Sequence, residues 1–182
     1  MVSRRTVAIA APLMLVGLSG VAHATVYFTS EAVRRALFPS ADRFVDAAIA
    51  LTPAQMRAIA ARSGTRVRQS LVPVWRAMEG ERVLGHVVID EVLGKHEFIT
   101  YAIALDPHDA VRQIEVMDYR ETYGDEIRNA RWRAQFTGKH DGDTLRTGRD
   151  IVNISGATLS CVHITEGARR ILATFAIAVR GR

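Results

Sequence analysis

Ser155-Gly156-Ala157-Thr158 is the stretch whose residue types and spacing suit chemistry. It sits inside Asp150-Ile-Val-Asn-Ile-Ser-Gly-Ala-Thr-Leu-Ser160, where a polar turn closes an apolar approach and opens the last amphipathic segment. The first N–H groups of a helix lack intrahelical partners and its dipole is positive there, so this turn offers an anion, and a phosphorylated ligand first, a seat beside a threonine hydroxyl. The same four residues also read as a plain helix cap. Cys161 follows three residues after Thr158, on its face of the helix, and His163 five residues after, turned away. Cys161 reads either as a thiol near a ligand or as a small buried hydrophobe. His163, Trp75 and Trp132 read first as packing or rim residues and second as groups on a path to a ligand. The six histidines show no metal-ligand spacing, and the single cysteine precludes Cys-x-x-Cys and haem-attachment motifs.

Elements to position this turn follow from periodicity. Thr29 to Phe38 is predicted as a short helix stopped by Pro39, and Ala41 to Leu51 is of uncertain type. Thr52-Pro-Ala-Gln55 is a capping box with proline at the first helical position, opening a helix that runs to Gly64. From Val67 the period becomes two. Strands are expected over Leu71 to Met78, Arg82 to Val92, Phe98 to Leu105 and Val111 to Arg120, with turns at Glu79-Gly80-Glu81 and Asp106 to Asp109. In the last strand Ile114 and Val116 are assigned to one face, and Glu115 and Tyr119 to the other. A short helix through Ile127 and Ala134 is expected next, then a polar loop over 139–149. Finally Ile164, Ala168, Ile171 and Phe175 form the core face of a terminal helix. The order predicts a single α+β domain, a twisted antiparallel sheet with helices packed on one face.

The charge balance limits partners. Lys and Arg number 24 against 19 acids, but the basic residues are interleaved with acids, which argues against nucleic acid. Residues 1–24 carry Arg4 and Arg5, an apolar run from Val7 to Val21 and a small-residue Ala22-His23-Ala24, the pattern of a secretory signal peptide. Its removal takes two arginines and no acid, lowering the net charge of +5 by two. An uncleaved anchor is the alternative, with Pro12 and Gly17 interrupting a run that is short for a full span. The expected organisation is a signal peptide over 1–24, an N-terminal helical segment over 25–66 and the functional domain over 67–182.

Glu121-Thr122-Tyr123-Gly124, then Phe136-Thr-Gly138-Lys139, then Ile154-Ser-Gly-Ala-Thr-Leu-Ser160 at the head of a terminal helix stand in an order that resembles the FMN-binding domain family. Known members include flavin-carrying subunits of the sodium-pumping NADH:quinone oxidoreductase and of the related Rnf complex. The resemblance covers residues 98–175 well and the N-terminal third loosely. It implies that FMN is joined by a phosphoester to Thr158, attached from FAD by a dedicated flavin transferase. It also implies that Ser155, Gly156 and Ala157 shape the turn, that Glu121, Thr122 and Gly124 lie against the flavin, and that Lys139 is the nearest basic contact.

The implied function is an exported periplasmic electron carrier whose partners are the transferase and membrane or periplasmic redox proteins. Two positions depart from the family: Tyr123 replaces a usual proline, and Val152 an acid three residues before the motif serine. Asp150 and Asn153 flank the missing acid. FMN held without a covalent bond, and a non-redox exported module in which the turn only caps a helix, are the competing readings. A flavin reductase with a bound substrate is a third reading, for which the sequence offers no dedicated acid, base or second nucleotide site.

Overall fold

A computed structural model describes residues 25–181; the export signal read over residues 1–24 lies outside them. Helix starts follow local chemistry. Thr29 accepts from the Ala32 N–H to open α1 (Ser30–Leu37). Thr52 and Gln55 close the expected capping box of α2 (Pro53–Ser63), which stops at Gly64 in the left-handed conformation. A side-chain cap of this kind contributes about 1 kcal/mol.

The strands are β1 (Thr25–Val26), β2 (Arg43–Asp46), β3 (Ile49–Ala50), β4 (Leu71–Val72), β5 (Val74–Glu79), β6 (Arg82–Leu93), β7 (Phe98–Leu105) and β8 (Val111–Tyr119). Six of them form one antiparallel sheet in the order β1-β8-β7-β6-β5-β2, while β3 and β4 pair separately. The run expected as one strand from Leu71 to Met78 is therefore two. Pro73, which has no N–H for a ladder, separates them. Residues 25–66 hold α1 and α2, as their helical reading expects, and in addition both edge strands of the large sheet.

Beyond β8 the expected short helix is broken into a 3₁₀ turn (Asp125–Arg128), α3 (Ala130–Arg133), capped by Asn129, and a second 3₁₀ turn (Ala134–Phe136). The terminal helix α4 spans Thr158–Thr174 and runs on into a π turn (Phe175–Val179).

Helices cover both faces of the sheet, not one. Ile164, Ala168, Ile171 and Phe175 of the terminal helix, with Ile59 of α2, bury against Val88, Val92, Ile99, Tyr101 and Ile103. On the opposite face Val33, Leu37 and Phe38 from α1 and its end bury against Ala77, Val87, Ala102 and Met117. Val87-Val88-Ile89 is apolar on both sides of its strand, so water has to be excluded twice. A half-buried polar knot ties α4 to the sheet: Asp90 Oδ2 accepts from Tyr101 Oη at 2.7 Å and from Arg170 Nη2 at 2.6 Å.

The pairing of β7 with β8 slips between Thr100↔Asp118 and Tyr101↔Val116, leaving Met117 as an extra residue. Such a bulge reverses side-chain parity beyond it. Tyr119 therefore joins Ile114 and Val116 in the core under α4, and Met117 turns to the α1 face. Strict alternation had placed Tyr119 with Glu115 on the other side.

Candidate functional site

The bulge carries the end of β8 beneath the start of α4. Tyr119 Oη donates to the Tyr123 carbonyl at 2.5 Å, closing the turn after the strand. Burial pushes the Tyr119 phenol up, so it stays a proton donor at neutral pH. The turn then reaches Gly124, buried and at φ 92°. A Cβ on Gly124 would lie 2.9 Å from Ala157 Cβ and 2.8 Å from Tyr119 Oη. Two segments separated by more than thirty residues thus touch, the Glu121–Gly124 turn and the Ser155–Thr158 turn. Both are brought together by Tyr119, which the sequence reading did not single out.

At the second turn the helix cap proper is Ala157, buried and without a side-chain capping bond. Ser155 is exposed and does not cap α4, which corrects that part of the reading. Among the described residues no backbone acceptor meets the N–H groups of Thr158, Leu159 or Ser160; the first bond of the helix runs from the Cys161 N–H to the Ala157 carbonyl at 2.9 Å. Gly156 sits at φ 88°, and a Cβ built there meets nothing within 4 Å. The space over the turn is open to a tetrahedral anion, and the donors beside it are free. Thr158 is exposed, its Oγ1 accepting from Asn153 Nδ2 at 3.1 Å.

The approach to this turn is pinned from α3 and the turn after it. Trp132 Nε1 donates to the Val152 carbonyl and the Val152 N–H donates to Gln135 Oε1, both at 2.8 Å. Trp132 itself is buried edge-on to Phe136. Val152, Tyr123 and Leu159 are large exposed apolar residues on the segments that meet at Thr158.

Lys139 is not a free cation at this site. Its ammonium bonds Asp150 Oδ2 at 3.1 Å, and the same carboxylate accepts from the N–H groups of Leu145 and Arg146. The pair fastens the 139–150 loop. Glu121 is spent in the same way: its Oε1 accepts from the N–H groups of His96 at 2.6 Å and Glu97 at 3.0 Å, clasping the β6–β7 connection. Thr122 is exposed on the same turn.

Partial burial pushes both carboxyls up, but backbone N–H groups outweigh it and hold both below the ordinary carboxylate range, with the Lys139 ammonium assisting at Asp150. A lowered folded-state pKa adds stability above the unfolded value of about 4 and loses it as pH falls through the lower folded one. Glu121→Gln is therefore expected to lose less stability than the wild type when thermal midpoints are followed from neutral pH down to about 3. Parallel acid limbs would show that the clasp is not linked to folding.

Cys161 is buried and its thiol is pushed up by that burial, so it behaves as a small hydrophobe. His163 Nδ1 donates to the Leu93 carbonyl at the end of β6. Trp75 lies under the Arg34 guanidinium, 4.7 Å from its ring centroid. None of the three borders Thr158 by these contacts. Two grooves lie elsewhere, about 530 Å³ between residues 64–73, β6 and α4 and about 1000 Å³ beside the 141–149 loop, and residues 155–158 line neither. Among the described residues no group of three or more His, Cys, Asp or Glu side chains is arranged to hold a metal ion.

Residues 94–173 match the model of the FMN-binding domain. Among solved structures, the crystal structure of Shewanella oneidensis NqrC is similar at 14% identity and a TM-score of 0.43, over 81% of this chain and 70% of that one. No curated protein matches the chain.

Proposed function

We propose, on the match of residues 94–173 to the model of the FMN-binding domain, that the chain is an exported periplasmic electron carrier holding FMN through a phosphoester on Thr158. The observation that carries this reading is the exposed Thr158 hydroxyl at the first turn of α4, beside free N–H groups and the open space over Gly156. A phosphodiester there keeps one negative charge near the positive end of the helix, a placement contributing about 0.3–1 kcal/mol when exposed. The flavin supplies the redox chemistry when bound, exchanging electrons in pairs or singly.

In the attachment step Thr158 Oγ1 bonds to the flavin-side phosphorus of FAD, the pyrophosphate P–O bond breaks, and AMP leaves with the electron pair. The hydroxyl proton passes to a base, and nothing is oxidised or reduced. The co-reactant is FAD, delivered by a flavin transferase. Glu121 and Asp150 are taken up by backbone N–H groups, and the base is assigned to the transferase. The electron donor and acceptor are membrane or periplasmic redox proteins. Covalent attachment suits an exported carrier, which has no cytoplasmic pool from which to replace a lost cofactor.

Intact-protein mass spectrometry tests the reading. Chain co-expressed with a flavin transferase is expected to gain the mass of FMN less water, and Thr158→Ala to gain nothing. An unshifted mass with colourless protein sinks the carrier reading. An unshifted mass with retained yellow colour points to FMN held without a bond, a reading favoured by Val152, which stands where the family carries an acid.

A further inference from the structure

Thr158 is the first residue of α4, and although β-branching stiffens χ1, a helical threonine still divides between two rotamers that place its hydroxyl differently. One contact selects among them: the Asn153 amide reaches Oγ1 at 3.1 Å across the Ile154–Ala157 turn. Asn153 is itself exposed, but the main chain of the residue before it is held at both ends, by Trp132 at the Val152 carbonyl and by Gln135 at the Val152 N–H. The buried ring of Trp132 makes that hold rigid. Rigidity therefore passes from the core through a main-chain clamp to one amide and then to the hydroxyl. The Val152 side chain plays no part and points into solvent.

We infer that Asn153 is a positioning residue for the Thr158 hydroxyl, selecting the rotamer in which it is attached to FMN. The inference rests on the covalent reading above. Asn153 is an orienter and not a base, since its amide neither takes nor gives up a proton at neutral pH. It leaves one lone pair of Oγ1 occupied and the other free toward an incoming phosphorus.

The test follows the labelling rate of full-length chain at limiting flavin transferase, with FAD as donor, by intact mass over time. Asn153→Ala is expected to label about two- to threefold more slowly, because the attack-competent rotamer falls to one of two or three staggered wells. Its thermal midpoint is expected to stay at the wild-type value, since the side chain is exposed. A second measurement needs no flavin. Three-bond couplings at Thr158 in the unlabelled protein should report one χ1 rotamer in the wild type and averaging in Asn153→Ala. Labelling of Asn153→Ala at the wild-type rate, or an averaged Thr158 rotamer in the wild type, overturns the inference. Failure of the wild type to label, with a single Thr158 rotamer lost in Asn153→Ala, overturns covalent attachment and leaves the hydroxyl's positioning standing.

Discussion

Gly124→Ala is expected to lower the thermal midpoint by on the order of 10 °C. The residue is buried at φ 92°, where an L side chain costs about 1–2 kcal/mol of backbone strain. The new Cβ would also stand 2.8 Å from Tyr119 Oη and 2.9 Å from Ala157 Cβ. Neither neighbour yields easily: Tyr119 is buried and bonded to the Tyr123 carbonyl, and Ala157 is the cap of α4. Overpacking of this kind adds about 1–3 kcal/mol. The sum is roughly 2–5 kcal/mol, and a domain of this size loses roughly 2–4 °C per kcal/mol. Gly156→Ala is the control. It carries a similar backbone strain at φ 88° but meets nothing within 4 Å, so the packing cost is absent and the loss is smaller. Differential scanning calorimetry of the two variants measures the difference, and equal losses would refute the contact between the two turns.

The second large effect lies in the polar knot under α4. Asp90→Ala removes the only carboxylate that meets Arg170 among the described residues and the acceptor of the fully buried Tyr101 hydroxyl. The Arg170 and Asp90 side chains are 17% and 25% exposed, so water replaces little of what is lost. Removing one member of such a pair costs about 3–5 kcal/mol. Replacing both charges with apolar residues, as in Asp90→Leu with Arg170→Met, is expected to cost less than Asp90→Ala alone, because no bare charge remains. Urea unfolding of the single and double variants checks this. A single variant within 1 kcal/mol of the wild type would mean that the guanidinium finds water.

The residue chemistry alone determined most of the local structure and the nature of the site. Thr29 and Thr52 announce their helices because a hydroxyl satisfies orphan N–H groups, and the 3.6-residue spacing of Ile164, Ala168, Ile171 and Phe175 announces the buried face of α4. The Ser-Gly-Ala-Thr turn was legible as the start of the terminal helix for the same local reason, and the order of three motifs pointed to the FMN-binding domain family.

What the chain does over distance was not legible. Alternation cannot announce a bulge, so Tyr119 was assigned to the wrong face by the single extra residue at Met117. A lysine's partner depends on where a loop folds back, so the ion pair of Lys139 with Asp150 was not legible. Periodicity within α4 likewise cannot say that a second helix, α1, covers the far side of the sheet. Only the tertiary structure decided that Gly124 lies on Ala157, and that Trp132 and Gln135 fix the peptide leading to Asn153 and Thr158. Caps, turns and amphipathic faces are set by residues a few positions apart and are written in the chain. The placement of one hydroxyl is set by contacts between segments far apart in sequence, and it exists only once they have packed.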